Sequence, residues 1–187
     1  MTRLEKDSTG KVRVPKNAYF GAFTERALQN FQISELLAPV IFAQALGLIK
    51  KAAAKVNGEL KEIPKKHAEA ISKAADEFID GKFEDEFVLD VFQAGAGTPY
   101  NMNANEIIAN RANEILGGKK GTYDPIHPNN HVNLGQSSND VIPTATRIAV
   151  IFALDALLEE MEELGESLDK KAKEFDKIKK VGRTHLQ

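Results

Sequence analysis

DVIPTATRIAVIFALDALLEEMEELGESLDKKAKEFDK, residues 140–177, decides the fold class. Within it Ile151, Leu154, Leu158, Met161, Leu168, Ala172 and Phe175 recur at spacings of three, four and seven, the stripe of a bundle or coiled-coil helix. The spacing predicts one helix of roughly 55 Å at 1.5 Å per residue. Pro143 is expected in its first turn, where a missing N–H costs little. Residues 155–169 hold seven acids and no base, whereas residues 170–183 hold seven bases and two acids. A basic end complements the helix dipole and would let two copies pair antiparallel, acid against base. Such a helix cannot bury its stripe alone, and no later segment of comparable length follows it. The expectation is a fragment, or a subunit whose bundle other copies complete.

Upstream the pattern shortens. Residues 3–15, RLEKDSTGKVRVP, alternate around Ser-Thr-Gly and predict a β-hairpin. Helices are predicted over 24–31, 38–57, 64–80 and 103–116. Pro39 and Pro64 stand at helix starts, with Asn57-Gly58, Gly81 and Gly117-Gly118 as stops. Residues 83–98 read as a loop, because AGAGTPY makes regular structure unfavourable there. The predicted fold is mainly α: a small N-terminal helical domain with a short β-hairpin over 1–139, then the first long helix of a multi-helix bundle, truncated, over 140–187.

The 187 residues are enough to bury a real core. A formal charge of −2 gives no electrostatic case for nucleic acid or an anionic membrane surface. The absence of cysteine excludes disulfides and thiolate metal sites. The first twenty residues are charged throughout and lack a secretory apolar region. Residues 36–49 read as the most apolar window, too short for a bilayer, which takes roughly 20 residues. No membrane partner and a cytoplasmic location are expected.

Three polar segments stand out: 97–103, GTPYNMN; HPNNH at 127–131 running into QSSND at 136–140; and GRTH at 182–185. All are rich in neutral donors and lie at predicted helix starts or in loops. Helix N-terminal N–H groups with added hydroxyls and amides make a site that grips a carboxylate without a metal. Simpler readings stand beside this one. Ser137, Ser138 and Asn139 could cap one helix, and Thr98 and Asn101 could cap another. His185 could be a surface residue. His127 and His131 could ligate zinc if helical, but Pro128 argues against a helix and no third ligand is near. No dinucleotide fingerprint, phosphate-binding loop or serine-hydrolase elbow is present.

Taken together, GAGTPYNMNANEIIANRANEILGG, HPNNHVNLGQSSNDVIPTATRIA and VGRTHLQ resemble the first two conserved blocks of the fumarase/aspartase superfamily, in its order and spacing. The opening RLEKDSTGKVRVPKNAYFGAFTERALQNFQIS is similar to that family's N-terminus. The resemblance covers essentially the whole chain and only the N-terminal portion of a family subunit. It implies reversible anti elimination giving fumarate, without an organic cofactor, leaving room for divalent-cation activation of the full-length enzyme. The implied partners are a small dicarboxylate (aspartate, malate or fumarate) and further copies in a homotetramer. Thr98 and Asn101 match substrate contacts of the first segment, and Ser137, Ser138 and Asn139 those of the second. Thr184 and His185 match the third, where the histidine handles protons near the leaving group. His127, Asn129 and Asn130 match a secondary anion site.

Some positions depart from that pattern. Ala96 stands where many fumarases have Ser, Pro99 where they have Gln or Ser, and Asn130 where Asp is common. GAGT, PNNHVN and TRIAV are more similar to aspartases, QSSND and RANEILGG to fumarases. The balance leans to aspartate ammonia-lyase, with fumarate hydratase as the alternative. Argininosuccinate and adenylosuccinate lyases are disfavoured by NMNANE and QSSND. The family's flexible loop with its catalytic serine is expected beyond residue 187, leaving this chain inactive alone. A non-catalytic oligomerising module is the alternative from another class.

Overall fold

The structure, a computed structural model, describes residues 1–7, 9–180 and 182. The elements run β1 (Thr2–Asp7), β2 (Gly10–Pro15), α1 (Ala22–Asn30), α2 (Val40–Glu59), α3 (Lys65–Ile79), a 3-10 turn (Glu84–Glu86), α4 (Thr98–Ile115), a π-helical turn (Pro128–Val132) and α5 (Ser138–Phe175). The fold is mainly α, with one two-stranded antiparallel hairpin, as expected. Contacts divide it into two compact units, Met1–Ala149 and Val150–Gln187.

In the hairpin Glu5 pairs with Val12 and Arg3 with Val14, so these four share one face. Val12, Val14 and Glu5 are buried while Leu4 is exposed. The strand thus turns a carboxylate inward, and Arg3, Tyr123 and the Ala22 N–H hold it. Helices α2 and α3 pack along each other because glycine permits it. A Cβ on Gly47 would lie 2.7 Å from Ile79, and one on Gly58 would lie 2.7 Å from Ala68. Helix α4 runs through the centre of the first unit, with Ile107, Ile108 and Ala112 fully buried.

The buried face of α4 is also polar, and each amide has backbone to hold. Asn103 donates to Glu86 O; Asn110 donates to Tyr19 O and accepts from Gly121 N–H; Asn113 does both with Ile126. Glu106 accepts from the N–H groups of Gly21, Phe23 and Thr24 at 2.9–3.0 Å, capping α1 from a distant helix. Burial pushes its carboxyl upward despite those donors.

Three expectations need correction. Helix α4 begins at Thr98, five residues before the predicted 103, because Pro99 sits in its first turn, where it is tolerated. Asn57-Gly58 does not stop α2, which runs to Glu59. Pro143 lies inside α5 and not in its first turn. Among the described residues α5 alone is long and apolar enough to cross a membrane by length and composition. Its Val141, Ala145 and Ala149, four apart, are buried in the first unit. From Val150 every described residue is exposed, the predicted stripe of Ile151, Leu154, Leu158, Met161, Leu168 and Phe175 included.

Glu106→Gln aims an NH₂ group at backbone donors that now meet oxygen. It should destabilise the fold by about 1–3 kcal/mol, the cost of an unsatisfied buried donor, read as a lower denaturation midpoint.

Candidate functional site

Two helix starts meet in the first unit. Gly97 adopts φ +66° immediately before α4, and a Cβ there would lie 2.9 Å from Ile142. Glycine therefore serves twice, for the left-handed turn and for the close approach to α5. The next turn is clamped by Tyr100, stacked on Phe87 at 5.2 Å and edge-on to Phe42 at 5.5 Å. Gln93 closes the α4 N-terminus from outside, its Oε1 accepting from the Tyr100 N–H at 3.1 Å, so Thr98 and Asn101 are not spent on capping. At α5 one residue caps: Ser137 Oγ accepts from the Asn139 N–H at 3.2 Å.

That leaves Ser138 for another partner. Its Oγ accepts from Asn101 Nδ2 at 2.9 Å, which joins the first predicted segment to the second. An oxygen that accepts here keeps its own proton to donate elsewhere. Asn101 is 1% exposed, and its Oδ1 accepts from Lys50 Nζ at 2.6 Å. Lys50, on α2, is fully buried and also donates to Asn133 Oδ1 at 3.0 Å and Gln136 Oε1 at 2.8 Å. All three partners are neutral amide oxygens. Burial without a carboxylate lowers the Lys50 ammonium from its usual 10.5 to about 7.

Ser138 and Asn139 open onto a hollow of about 540 Å³ with Gly95, Ala96 and Arg147 on its wall. Thr98 lines a different hollow of about 580 Å³, beside His127, Asn129 and Glu106. Asn101 is thus joined directly to Ser138, while Thr98 shares space with the expected secondary anion site. At that second place His127 Nδ1 accepts from the N–H groups of Asn129 at 3.1 Å and Asn130 at 3.4 Å. His131 Nδ1 in turn accepts from the His127 N–H at 2.8 Å. Burial lowers both imidazoles, keeping them neutral. The expectation that Pro128 forbids a helix is corrected: it opens the π-helical turn, whose Asn133 N–H reaches back to Pro128 O. Both Nδ1 atoms serve that turn, and no group of three or more metal-ligating side chains occurs among the described residues. Thr184 and His185 lie outside the described residues.

Sequence reasoning missed Lys50, Asn133 and the role of Gln136. A signal for Lys50 existed. It lies four residues after Leu46 and four before Ala54, on the apolar face of α2, where a lysine is out of place.

Comparison with known proteins follows the same residues. A family model described as lyase matches residues 10–187. A class II fumarate hydratase of Methylorubrum extorquens is 51% identical over 187 residues, covering 100% of this chain and 40% of that protein. An aspartate ammonia-lyase of a Bacillus species is 49% identical over 185 residues, covering 99% of this chain and 40% of its own. A crystal structure described as fumarate lyase:delta crystallin from Brucella melitensis superposes with a TM-score of 0.90 at 46% identity, covering 100% of this chain and 44% of that one. The chain spans about 40% of the length of the curated relatives it matches.

The Lys50 environment fixes a pH dependence. The folded ammonium titrates at about 7 and the unfolded one at 10.5. Between these values the unfolded chain binds the extra proton, so the group's contribution to stability rises with pH through that window. Denaturation midpoints measured from pH 6 to 10 should climb more steeply than in Lys50→Met, which lacks the titrating group.

Proposed function

Because this chain belongs to the lyase family and matches the N-terminal portion of the fumarase/aspartase superfamily, we propose that it forms the carboxylate-gripping part of a fumarate-forming lyase. The observation that carries the proposal is the Asn101–Ser138 hydrogen bond, with Lys50 buried behind it. In such an elimination a proton leaves the carbon beside a carboxylate, and that carboxylate gains charge as the aci-dianion forms. Fixed donors that meet the growing charge lower the barrier, since they bind the transition state better than the substrate. Ser138 and Asn139 are the proposed donors. Asn101 gives its NH₂ to Ser138 and Asn133 and so orients them, and Thr98 is proposed as a donor from the neighbouring hollow. Thr184 and His185 are proposed at the leaving-group side.

No described side chain of the cradle reaches a substrate as a base: Lys50 is fully buried behind Asn101 and does not line the hollow at Ser138. The proton acceptor therefore belongs to another part of the assembled enzyme, and residues 1–187 alone should not form fumarate. The exposed stripe of α5 supports assembly with further copies, which would cover it. The secondary anion site is the weaker proposal, because the Asn129 and Asn130 N–H groups already face His127. No organic cofactor enters this chemistry.

For the leaving group, the similarity to class II fumarate hydratases at 51% and 52% identity supports water from malate. The sequence-based lean to aspartate keeps one specific support, the Bacillus aspartate ammonia-lyase at 49%. The test is the ultraviolet absorbance of fumarate, followed with malate and with aspartate separately in the assembled protein that carries this chain. Turnover of malate is expected; turnover of neither would sink the lyase reading. Ser138→Ala should lower kcat/KM by about 10²–10³, the usual loss for one such donor. Asn101→Ala should lower it too, because Ser138 loses the bond that orients it.

A further inference from the structure

Among the described residues Lys50 is the one fully buried cation whose partners are all neutral. Other charged or titratable groups on the surrounding elements are occupied elsewhere or face away. On α2, Lys51 pairs with Asp76 of α3 at 2.6 Å. On α4, Glu106 caps α1. On the π-helical turn, His131 bonds His127 and packs edge-on to His67 of α3. On α5, Asp140 is exposed, and Arg147 lines the hollow with Ser138 and Asn139 while its guanidinium donates to Pro143 O at 3.2 Å. None is hydrogen-bonded or ion-paired to Lys50. An ion so buried without a counter-charge is costly, and removing its hydrogen-bond partners would not explain why a charge is there at all.

The hydrogen bonds also fix direction. Each of the three amides gives its oxygen to Lys50 and must turn its NH₂ away. Asn101 Nδ2 is thereby aimed at Ser138 and Asn133, Asn133 Nδ2 at Gln136 O, and Gln136 Nε2 at Val132 O. A flip of Asn101 would set NH₂ against ammonium and leave Ser138 without its donor.

We propose that Lys50 is a positioning residue of the carboxylate cradle: it locks Asn101, which orients Ser138 so that the hydroxyl proton turns toward the substrate, and it holds a positive charge that a bound dicarboxylate neutralises. This rests on the reading of the cradle as a dicarboxylate site. Two consequences follow from charge balance. An anion bound in front of Lys50 favours its protonated form, so binding draws in a proton wherever the empty site has lost it. Affinity is then full below about pH 7, where the empty-site ammonium is charged, and weakens as pH rises above it.

The experiment uses succinate, a dicarboxylate with no leaving group, and the assembled protein that carries this chain. Calorimetric titration at pH 8.5 in two buffers of different ionisation enthalpy measures proton exchange directly. Uptake of up to one proton per site is expected, with affinity falling by up to about tenfold per pH unit above 7. Absence of uptake overturns the proposal without any variant. Lys50→Met should weaken succinate binding by at least about tenfold, abolish the uptake, and flatten the pH dependence. If that variant does not fold, the ¹⁵N resonance of Lys50 Nζ in the unmodified protein decides: a rise in its titration midpoint on adding succinate supports the role, and no change refutes it. Ser138→Ala separates the two readings. If it leaves binding unaltered, the cradle itself is misplaced; if it weakens binding while Lys50→Met does not, only the role of Lys50 falls.

Discussion

A unit with one hairpin and long irregular connections buries more backbone N–H and C=O groups than its own ladders can satisfy. Helix α4 meets that demand with side chains. Asn103, Asn110 and Asn113 reach backbone at Glu86, Tyr19, Gly121 and Ile126, and Glu106 gathers the N-terminus of α1. Each bond ties a segment distant in sequence to the same rod. Asp90 does the same for its own loop, accepting from the N–H groups of Ile33, Ser34, Glu35 and Phe92. Those bonds hold its carboxyl well below the usual carboxylate range. An apolar α4 would pack as well but leave these loops unheld, and the loops carry the polar segments of the site.

The site inherits its order from this arrangement. Gly97 lets α4 approach Ile142, and that approach brings Asn101 within reach of Ser138. The cradle therefore sits where two helices begin, with donors fixed before any ligand arrives. Preorganised dipoles of this kind stabilise developing charge because they need no reorientation during the reaction. The single-turn π-helix supports the same place from behind, delivering Asn133 and Gln136 to Lys50.

Local signals were legible in the sequence. The hairpin, the proline-initiated α2 and α3, and the long α5 follow from alternation, helix-start chemistry and spacing. Ser137 as a cap also followed, whereas the meeting of Asn101 with Ser138 was implied by the family resemblance and not by either segment's own pattern. What stayed hidden is non-local. Helix α4 was predicted to start late because glycine and proline were read as breakers, whereas packing against Phe42, Phe87 and Ile142 makes that very turn helical. The three partners of Lys50 lie 51, 83 and 86 residues away, so no window of sequence contains its environment.

The choice of lysine at position 50 follows from geometry as well as charge. An ammonium has three tetrahedral donors on a slender stem, and here they reach α4, the exit of the π-helical turn and the approach to α5. A guanidinium would present a flat fork, suited to one carboxylate and not to three divergent amide oxygens. A neutral apolar residue would leave the Asn101 and Gln136 oxygens unsatisfied in the interior, while Asn133 would keep only its bond from Asn101. A carboxylate alongside the lysine would complete a buried pair and cancel the field at the cradle. The arrangement omits the partner, so the buried charge is relieved in one of two ways: loss of the proton above about pH 7, or an anion at the cradle's open side.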